Sequence, residues 1–309
     1  MSVESAANGD ASSDEPGQRG RVIVAFVAMY WVWGSSFLAS RIGVQELPPL
    51  LFGCARFGSA GLIMLAYARW RGVRIMPDRR EWRDLWIIAI LGFLICNGSA
   101  LWAFQFLPSN QIALLNTTVP CWLVLLGAFG SNAHRPGPLA LAGVLMGTAG
   151  ALLLINPWSA AGRGSLIPNL VVCIGCLAWA INSIHQRNMR TVMPVASLVG
   201  WQMLLGGGLL GITGVLFGEP AHWHWQWHVF LPLAYLVIAS SCIGHTAFSW
   251  LAPRTTPTNL GTYAYVNPMV ATVLGWLMLD EALSGVQQLG MALVLGAVVI
   301  INLVARRGR

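Results

Sequence analysis

Polar side chains that could bind a small molecule lie inside the long apolar stretches of this sequence, where charged residues are scarce. Polar groups at membrane depth are energetically costly, and they usually face a ligand pathway or a neighbouring helix. Together with tryptophan and tyrosine rings, they would line a pocket suited to small zwitterions or ring-bearing metabolites. A hydrogen bond between helices is the alternative role for each of them. The candidate binding residues are Trp33, Ser36, Asn97, Trp102, Asn116, Thr117, Trp179, Asn182, His245, Tyr263, Tyr265 and Asn267.

The composition indicates which elements position these residues. Hydrophobic residues make up 56% of the 309 and charged residues 9%, whereas a soluble domain carries roughly 25% charged residues. A helix needs about 20 apolar residues to cross the hydrocarbon core, and it satisfies its backbone polar groups internally. We therefore predict an all-α polytopic membrane protein with ten transmembrane helices. Their limits are roughly 22–43, 49–69, 85–106, 109–130, 138–156, 166–186, 196–217, 229–250, 258–279 and 286–305.

Arginine is distributed unevenly among the connections of the predicted helices, and the sequence contains no lysine. Cytoplasmic connections of membrane proteins are enriched in basic residues. We therefore expect both termini to be cytoplasmic, with residues 1–20 forming a disordered tail because they offer little to bury. The connection between the second and third helices carries the densest group, Arg69, Arg71, Arg74, Arg79, Arg80 and Arg83.

The chain contains an internal repeat. A shift of 146 residues places a W-x7-R-x6-P pattern that begins at Trp33 on a second copy that begins at Trp179. Each copy holds five predicted helices, and because five is odd, the second copy enters the membrane from the opposite side. We therefore predict two inverted five-helix repeats, at 22–156 and 166–305. Folds of this kind bind a ligand near the middle of the membrane and expose it alternately to each side.

Three further residues inside predicted helices have two possible roles each. Pro120 and Pro268 occupy corresponding places in the repeats, and since proline kinks a helix, they are either matched hinges or inherited kinks.

Arg56 lies roughly 10 Å into the membrane. It could receive a carboxylate from a ligand, or it could hold helix ends together through carbonyl groups or Glu46, and the structural role is the expected one.

Four short motifs follow one another along the chain: W-G-S-S-F from Trp33 with Arg41, R-F at Arg56, Y-V-N-P from Tyr265, and L-D-E-A-L from Leu279. Together they resemble the EamA-type carriers of the drug/metabolite transporter superfamily over roughly residues 22–305. The resemblance implies a ten-helix carrier of the bacterial inner membrane, often an exporter of amino acids or related metabolites. The two repeats differ in one of these motifs. The first repeat reads N-T-T-V-P from Asn116 to Pro120, whereas the second reads Y-V-N-P from Tyr265 to Pro268.

Patterns typical of enzymes are weak. The acids lie in the tail or the connections, and the absence of lysine excludes a Walker-type nucleotide site. The alternating His and Trp residues at 222–228 are interpreted as an interfacial aromatic belt rather than a metal site, and Cys173 and Cys176 as packing residues rather than a redox pair. We therefore expect no enzymatic activity, metal or cofactor. A membrane enzyme or assembly factor without transport activity is the alternative.

The sequence thus predicts a secondary transporter of small metabolites whose partners are its substrate and the lipid bilayer. Nucleic acid is not an expected partner, because the arginines lie in short connections between apolar runs. Glycine pairs that permit close helix contact, such as Gly207 with Gly211, would serve internal packing or a homo-oligomer. No Asp or Glu lies within a predicted helix, and His245 is the one plausible titratable group there. We therefore expect gradient-driven transport that depends little on protons.

Overall fold

The structure is a computed structural model that describes residues 16–127, 137–159, 164–189, 191–252, 254–255 and 262–307. Within these ranges the side chains of residues 16–19, 265, 302 and 305–307 are not described. Residues 1–15 of the predicted tail lie outside the described residues. Residues 16–20, which were also predicted to be part of the tail, belong to the first helix.

Helix is the regular structure of the described ranges, and no strand occurs within them. Seven helices in these ranges are long and apolar enough to cross a membrane, which confirms the prediction of an all-α, multi-span membrane protein. Shorter apolar segments, Val266–Leu279 and Gly285–Ile301, lie near the C-terminus. The helices are α1 (Pro16–Glu46), α2 (Pro49–Trp70), α3 (Arg79–Ala103), α4 (Ser109–Asn116), α5 (Val119–Gly127), α6 (Pro138–Ile155), α7 (Leu166–Asn188), α8 (Val195–Leu216), α9 (Trp227–Leu251), α10 (Tyr263–Leu279) and α11 (Gly285–Arg307).

A capping box fixes the start of α3 outside the apolar stretch. The Asp78 carboxylate accepts the backbone N–H groups of Arg80 and Glu81 at 2.8 Å, and the Glu81 carboxylate accepts the Asp78 N–H at 2.9 Å. The hydrogen bond from the Glu81 N–H is the main cause that lowers the pKa of Asp78. The cap therefore stays ionised at neutral pH, where it satisfies N–H groups that have no partner inside the helix.

The predicted fourth helix, at roughly 109–130, is interrupted. α4 ends at Asn116 and α5 begins at Val119. Pro120 has no N–H to donate to the carbonyl four residues earlier, and its ring crowds that carbonyl, so a continuous helix is disfavoured. The hydroxyls of Thr117 and Thr118 instead donate to the carbonyls of the preceding turn at 2.6 and 2.7 Å. Pro120 thus lies in the first turn of α5, whereas Pro268 lies inside the continuous helix α10. The local structures at the two prolines therefore differ.

Two of the long helices contain a π-helical segment, in which the backbone hydrogen bonds span five residues rather than four. The segments are Ala89–Asn97 in α3 and Leu236–Gly244 in α9. Both are nine residues long, and their positions in the two sequence repeats correspond to within one residue. π-helical turns are rare and are often found at functional sites.

Glycines allow two pairs of helices to pack closely. A Cβ atom added at Gly207 of α8 would lie 2.5 Å from the backbone nitrogen of Gly58 in α2, so only glycine permits this contact. Gly150 of α6 and Gly290 of α11 make an equivalent close approach, because a Cβ on either would lie 2.8 Å from the other's carbonyl oxygen. Other glycines that belong to sequence pairs spaced four residues apart also face neighbours within the chain. Gly143 faces α11, Gly147 faces Cys121 and α11, and Gly211 and Gly214 face α2.

Two glutamates from the second repeat cap helices of the first. Glu219 accepts two N–H groups in the first turn of α2, at 2.7 and 3.1 Å. Glu281 accepts the N–H groups of Ser109 and Asn110 in α4, at 2.8 and 3.1 Å, and the Ser109 hydroxyl at 2.7 Å. A carboxylate at a helix N-terminus satisfies orphan donors and complements the helix dipole. These caps therefore hold the two repeats together at one end of the molecule.

A different set of contacts joins the repeats around the start of α8. The Glu81 carboxylate accepts the Thr191 hydroxyl at 2.9 Å. The Ser197 hydroxyl and the indole N–H of Trp201 donate to carbonyls of the connection between α2 and α3, at 2.7 and 2.9 Å. The connection that carries the arginine cluster is thereby bound to the second repeat.

Candidate functional site

A cavity lies between helices of both sequence repeats. It is lined by α1, α2, α3, α4 and α5 of the first repeat and by α7, α9 and α10 of the second. The cavity volume is about 130 Å³, close to the roughly 150 Å³ of an apolar cavity that holds one benzene ring. Eight of the residues that the sequence singled out lie in its wall, namely Trp33, Ser36, Asn97, Asn116, Trp179, His245, Tyr263 and Asn267.

Aromatic rings form one wall of this cavity, with Trp33 at their centre. Its ring centroid lies 6.3 Å from that of Trp179, 5.6 Å from that of Tyr263 and 5.3 Å from that of His245. The indole N–H of Trp33 donates to the Ser240 carbonyl at 3.3 Å, and that of Trp179 donates to the Tyr263 hydroxyl at 3.0 Å. These hydrogen bonds fix the ring orientations, so the wall is preorganised to pack against a planar apolar group.

The π-helical segments position two of the polar side chains. Asn97 donates from Nδ2 to the Gly92 carbonyl at 2.6 Å, and the Nδ1 atom of His245 lies 3.3 Å from the Ser240 carbonyl. Each side chain thus contacts the carbonyl five residues earlier: Asn97 is the last residue of its π-helical segment, and His245 is the first residue after its own. The His245 ring also stacks on Phe93, with centroids 5.6 Å apart. Within the described ranges no carboxylate lies in ion-pair contact with His245.

Two asparagines, one at the end of α4 and one in α10, add to the polar lining. Asn116 at the end of α4 donates from Nδ2 to the Ile112 carbonyl at 2.9 Å. Asn267 in α10 is 6% exposed, and its Oδ1 atom has no hydrogen-bond partner among the described residues. The next residue, Pro268, also lines the cavity, whereas Pro120 is not part of its wall.

Three of the four remaining predicted binding residues lie outside the cavity wall. Thr117 is fully buried, and its hydroxyl donates a hydrogen bond to the Leu114 carbonyl at the break after α4. Asn182 is buried beside Gly92 rather than in the cavity wall. Trp102 lines a separate cleft together with Glu219. The side chain of Tyr265 lies outside the described residues, although its backbone belongs to α10.

Arg56 and two serines belong to the cavity wall but were not among the predicted binding residues. Arg56 is 5% exposed. It donates from Nε to the Ser241 hydroxyl at 3.1 Å, from Nη1 to that of Ser40 at 3.3 Å, and from Nη2 to that of Ser240 at 2.8 Å. The sequence suggested carbonyl groups or Glu46 as structural partners, but Glu46 lies 3.3 Å from His228 instead. The adjacent serines at 240 and 241 were the available signal for a buried polar partner.

The histidines near the start of α9 do not form a cluster in the described structure. No group of three or more His, Cys, Asp or Glu side chains that could hold a metal ion occurs within the ranges given above. Trp227 in this segment is 81% exposed, a position compatible with the lipid–water boundary once a bilayer is present.

Known proteins resemble this chain along most of its length. An uncharacterized inner membrane transporter of Escherichia coli (strain K12), YedA, is 32% identical over 90% of both chains. The aromatic amino acid exporter YddG of Ancylobacter novellus is 26% identical over 92% of this chain and 98% of that protein. A solved crystal structure covers 93% of this chain and 99% of its own with a TM-score of 0.67 at 23% identity, which shows a shared fold.

The family comparison agrees with the motifs found in the sequence. The model of the EamA-like transporter family matches twice, at residues 20–156 and at residues 166–303. These two matches together cover nearly the whole chain, and they confirm the resemblance to EamA-type carriers that the short motifs indicated. The chain therefore belongs to the EamA-like transporter family.

Proposed function

We propose that this protein is a secondary transporter that exports amino acids or related small metabolites across the bacterial inner membrane by alternating access. The observation that carries the proposal is a cavity enclosed by apolar helices and lined by polar and aromatic groups from both sequence repeats. In a membrane protein such a lining is costly unless it serves a ligand. The names of the related E. coli transporter and of the aromatic amino acid exporter support the location and the substrate class.

The proposed architecture is ten membrane crossings arranged as two inverted repeats, with both termini in the cytoplasm. In this arrangement α4 and α5 form one crossing. Three observations support it: the two matches of the family model, the matched π-helical segments, and the close contacts of α2 with α8 and of α6 with α11. Each of these two contacts joins corresponding helices of the repeats, as a two-fold axis in the membrane plane requires.

The aromatic wall favours a substrate that carries a ring. The ring centroids of Trp179 and Tyr263 lie 6.3 and 5.6 Å from that of Trp33. Pairs of aromatic groups are worth about 0.5–1.5 kcal/mol beyond the burial of their area. We therefore expect phenylalanine, tyrosine or tryptophan to be better substrates than small aliphatic amino acids.

Transport by purified protein in liposomes tests the proposal. Labelled aromatic amino acids, aliphatic amino acids, sugars and organic cations would be offered, and uptake would be compared with protein-free liposomes. We expect uptake of aromatic amino acids, a loss of most of it in Trp33→Ala, and normal uptake in Trp227→Ala. The control removes a tryptophan that is 81% exposed and outside the cavity. Folded protein that moves none of these compounds would contradict the proposal.

A further inference from the structure

The cavity contains a buried positive charge that forms no ion pair with a carboxylate of the described residues. Arg56 is 5% exposed, and its described hydrogen bonds go to the hydroxyls of Ser40, Ser240 and Ser241. No aspartate or glutamate is found among the described residues of the cavity wall. The electrostatic potential there is therefore positive.

The acids elsewhere in the described structure have other contacts or lie away from this wall. Glu46 lies near His228, Glu81 binds Arg74, and Asp84 lies near Arg83 and His185. Glu219 and Glu281 cap helices, and Asp78 forms the capping box. Asp280 is exposed at the end of α10. None of them neutralises Arg56.

Hydroxyl groups compensate this charge only in part. A buried cation without a counter-ion is strongly disfavoured, because hydroxyl dipoles replace the lost hydration incompletely. A guanidinium group has five N–H donors, and the described bonds use one on each nitrogen. One N–H on each Nη atom therefore remains for a further acceptor. A carboxylate fits two such donors better than any neutral group, since it can accept both at once and supplies the missing charge.

A second group in the wall lacks a partner and complements the first. The Oδ1 atom of Asn267 is a buried acceptor without a hydrogen-bond partner in the described residues. An α-amino acid carries a negatively charged carboxylate, which accepts hydrogen bonds, and a positively charged ammonium group, which donates them. The cavity offers a partner for each: the remaining N–H groups of Arg56 for the carboxylate, and the Oδ1 atom of Asn267 for the ammonium group. The rings around Trp33 supply a surface for the side chain of such a ligand.

We propose that Arg56 binds the carboxylate of the substrate, and that a free carboxylate beside an aromatic ring is what the cavity selects. This inference rests on the proposed function, because it names the group by which the transported amino acid is recognised. It also assigns the three serines a role, which is to hold the guanidinium in place while the cavity is empty. Amines and amides of the same shape are then poor ligands.

Ligand-induced thermal stabilisation and liposome transport would test this with a matched pair of compounds. Phenylalanine and phenylalaninamide share the ring and the ammonium group, and only the first has a carboxylate. We expect wild-type protein to bind phenylalanine about tenfold to hundredfold more tightly, as for hydrogen bonds between charged groups. Arg56→Gln should remove this preference. Arg254→Gln should keep it, because that arginine packs on Trp250 outside the cavity.

The outcomes separate this inference from the proposed function. Wild-type protein that transports phenylalanine and binds both compounds equally would overturn the role of Arg56 and leave the transport function standing. Wild-type protein that transports neither amino acids nor the other small metabolites offered would overturn the proposed function itself. A preference for phenylalanine that survives in folded Arg56→Gln would also contradict the inference. If that variant does not fold, the comparison of the two compounds on wild-type protein decides.

Discussion

At the scale of single residues, the cavity combines features that the sequence could and could not reveal. Trp33 and Asn267 were predictable, because a polar or aromatic side chain inside an apolar run needs a reason to be there. The three serine partners of Arg56 were not, since they come from α1 and α9, and only the fold brings them together. Thr117 misled the prediction because its hydroxyl serves the backbone of its own turn.

His245 carries the prediction on energy coupling. It lies among aromatic rings, and no carboxylate pairs with it in the described residues. We therefore expect substrate flux in liposomes to change little when a pH difference is imposed at zero membrane potential. His228→Ala is a suitable control, because His228 is exposed and near Glu46. Accumulation that requires the pH difference and vanishes in His245→Ala, but not in the control, would make His245 the coupling residue.

At the scale of helices, the apolar runs predicted the positions of most elements, because the bilayer demands about 20 apolar residues per crossing. The interruption between α4 and α5 was missed, since Pro120 was expected to kink a helix that in fact ends before it. The π-helical segments were also missed. They have no compositional signal, because the same apolar residues suit either helical geometry.

The contact between α2 and α8 gives a prediction with a control one residue away. In Gly207→Ala the new methyl group would lie 2.5 Å from the Gly58 nitrogen, so we expect the helices to separate and the free energy of unfolding to fall by about 1–3 kcal/mol. A Cβ atom added at Gly208 would have no atom of another described helix within 4 Å. Gly208→Ala should therefore raise the stability by up to about 1 kcal/mol. Thermal unfolding in detergent measures both, and equal effects would contradict the packing argument.

The cap that Glu281 forms on α4 gives a second prediction at this scale. Glu281→Gln replaces a carboxylate that accepts three hydrogen bonds with an amide that can accept fewer, so stability should fall by about 1–2 kcal/mol. Asp280→Asn also removes one negative charge, but at the adjacent residue, which is exposed. It should leave the unfolding temperature nearly unchanged, and a similar loss in both variants would argue against the cap.

At the scale of the whole molecule, the proposed orientation in the membrane rests on the arginine-rich connection between α2 and α3. The same connection contacts the start of α8 through Thr191, Ser197 and Trp201. In the proposed topology these contacts lie on the cytoplasmic side, whereas the caps formed by Glu219 and Glu281 lie on the outer side. Alternating access would then require contacts between the repeats to open at one end while those at the other end hold.

Cysteine labelling tests this orientation. In a variant without native cysteines, Met76→Cys places a thiol in the arginine-rich connection at a position that is 68% exposed. We expect a membrane-impermeant reagent to label it only after the cells are opened. Trp227→Cys, on the proposed outer side, should react in intact cells. Labelling of position 76 from outside intact cells would reverse the assigned orientation.

The paired π-helical segments have a consequence for the history of the chain. A π-helical turn accommodates one more residue than an α-helical turn, so it corresponds to an insertion that the flanking helix has absorbed. Both segments lie at corresponding positions and have the same length. One insertion in an ancestral five-helix chain, followed by gene duplication, accounts for both, whereas the reverse order needs two independent events. A present-day relative that consists of a single five-helix unit should then carry the same wide turn in its third helix.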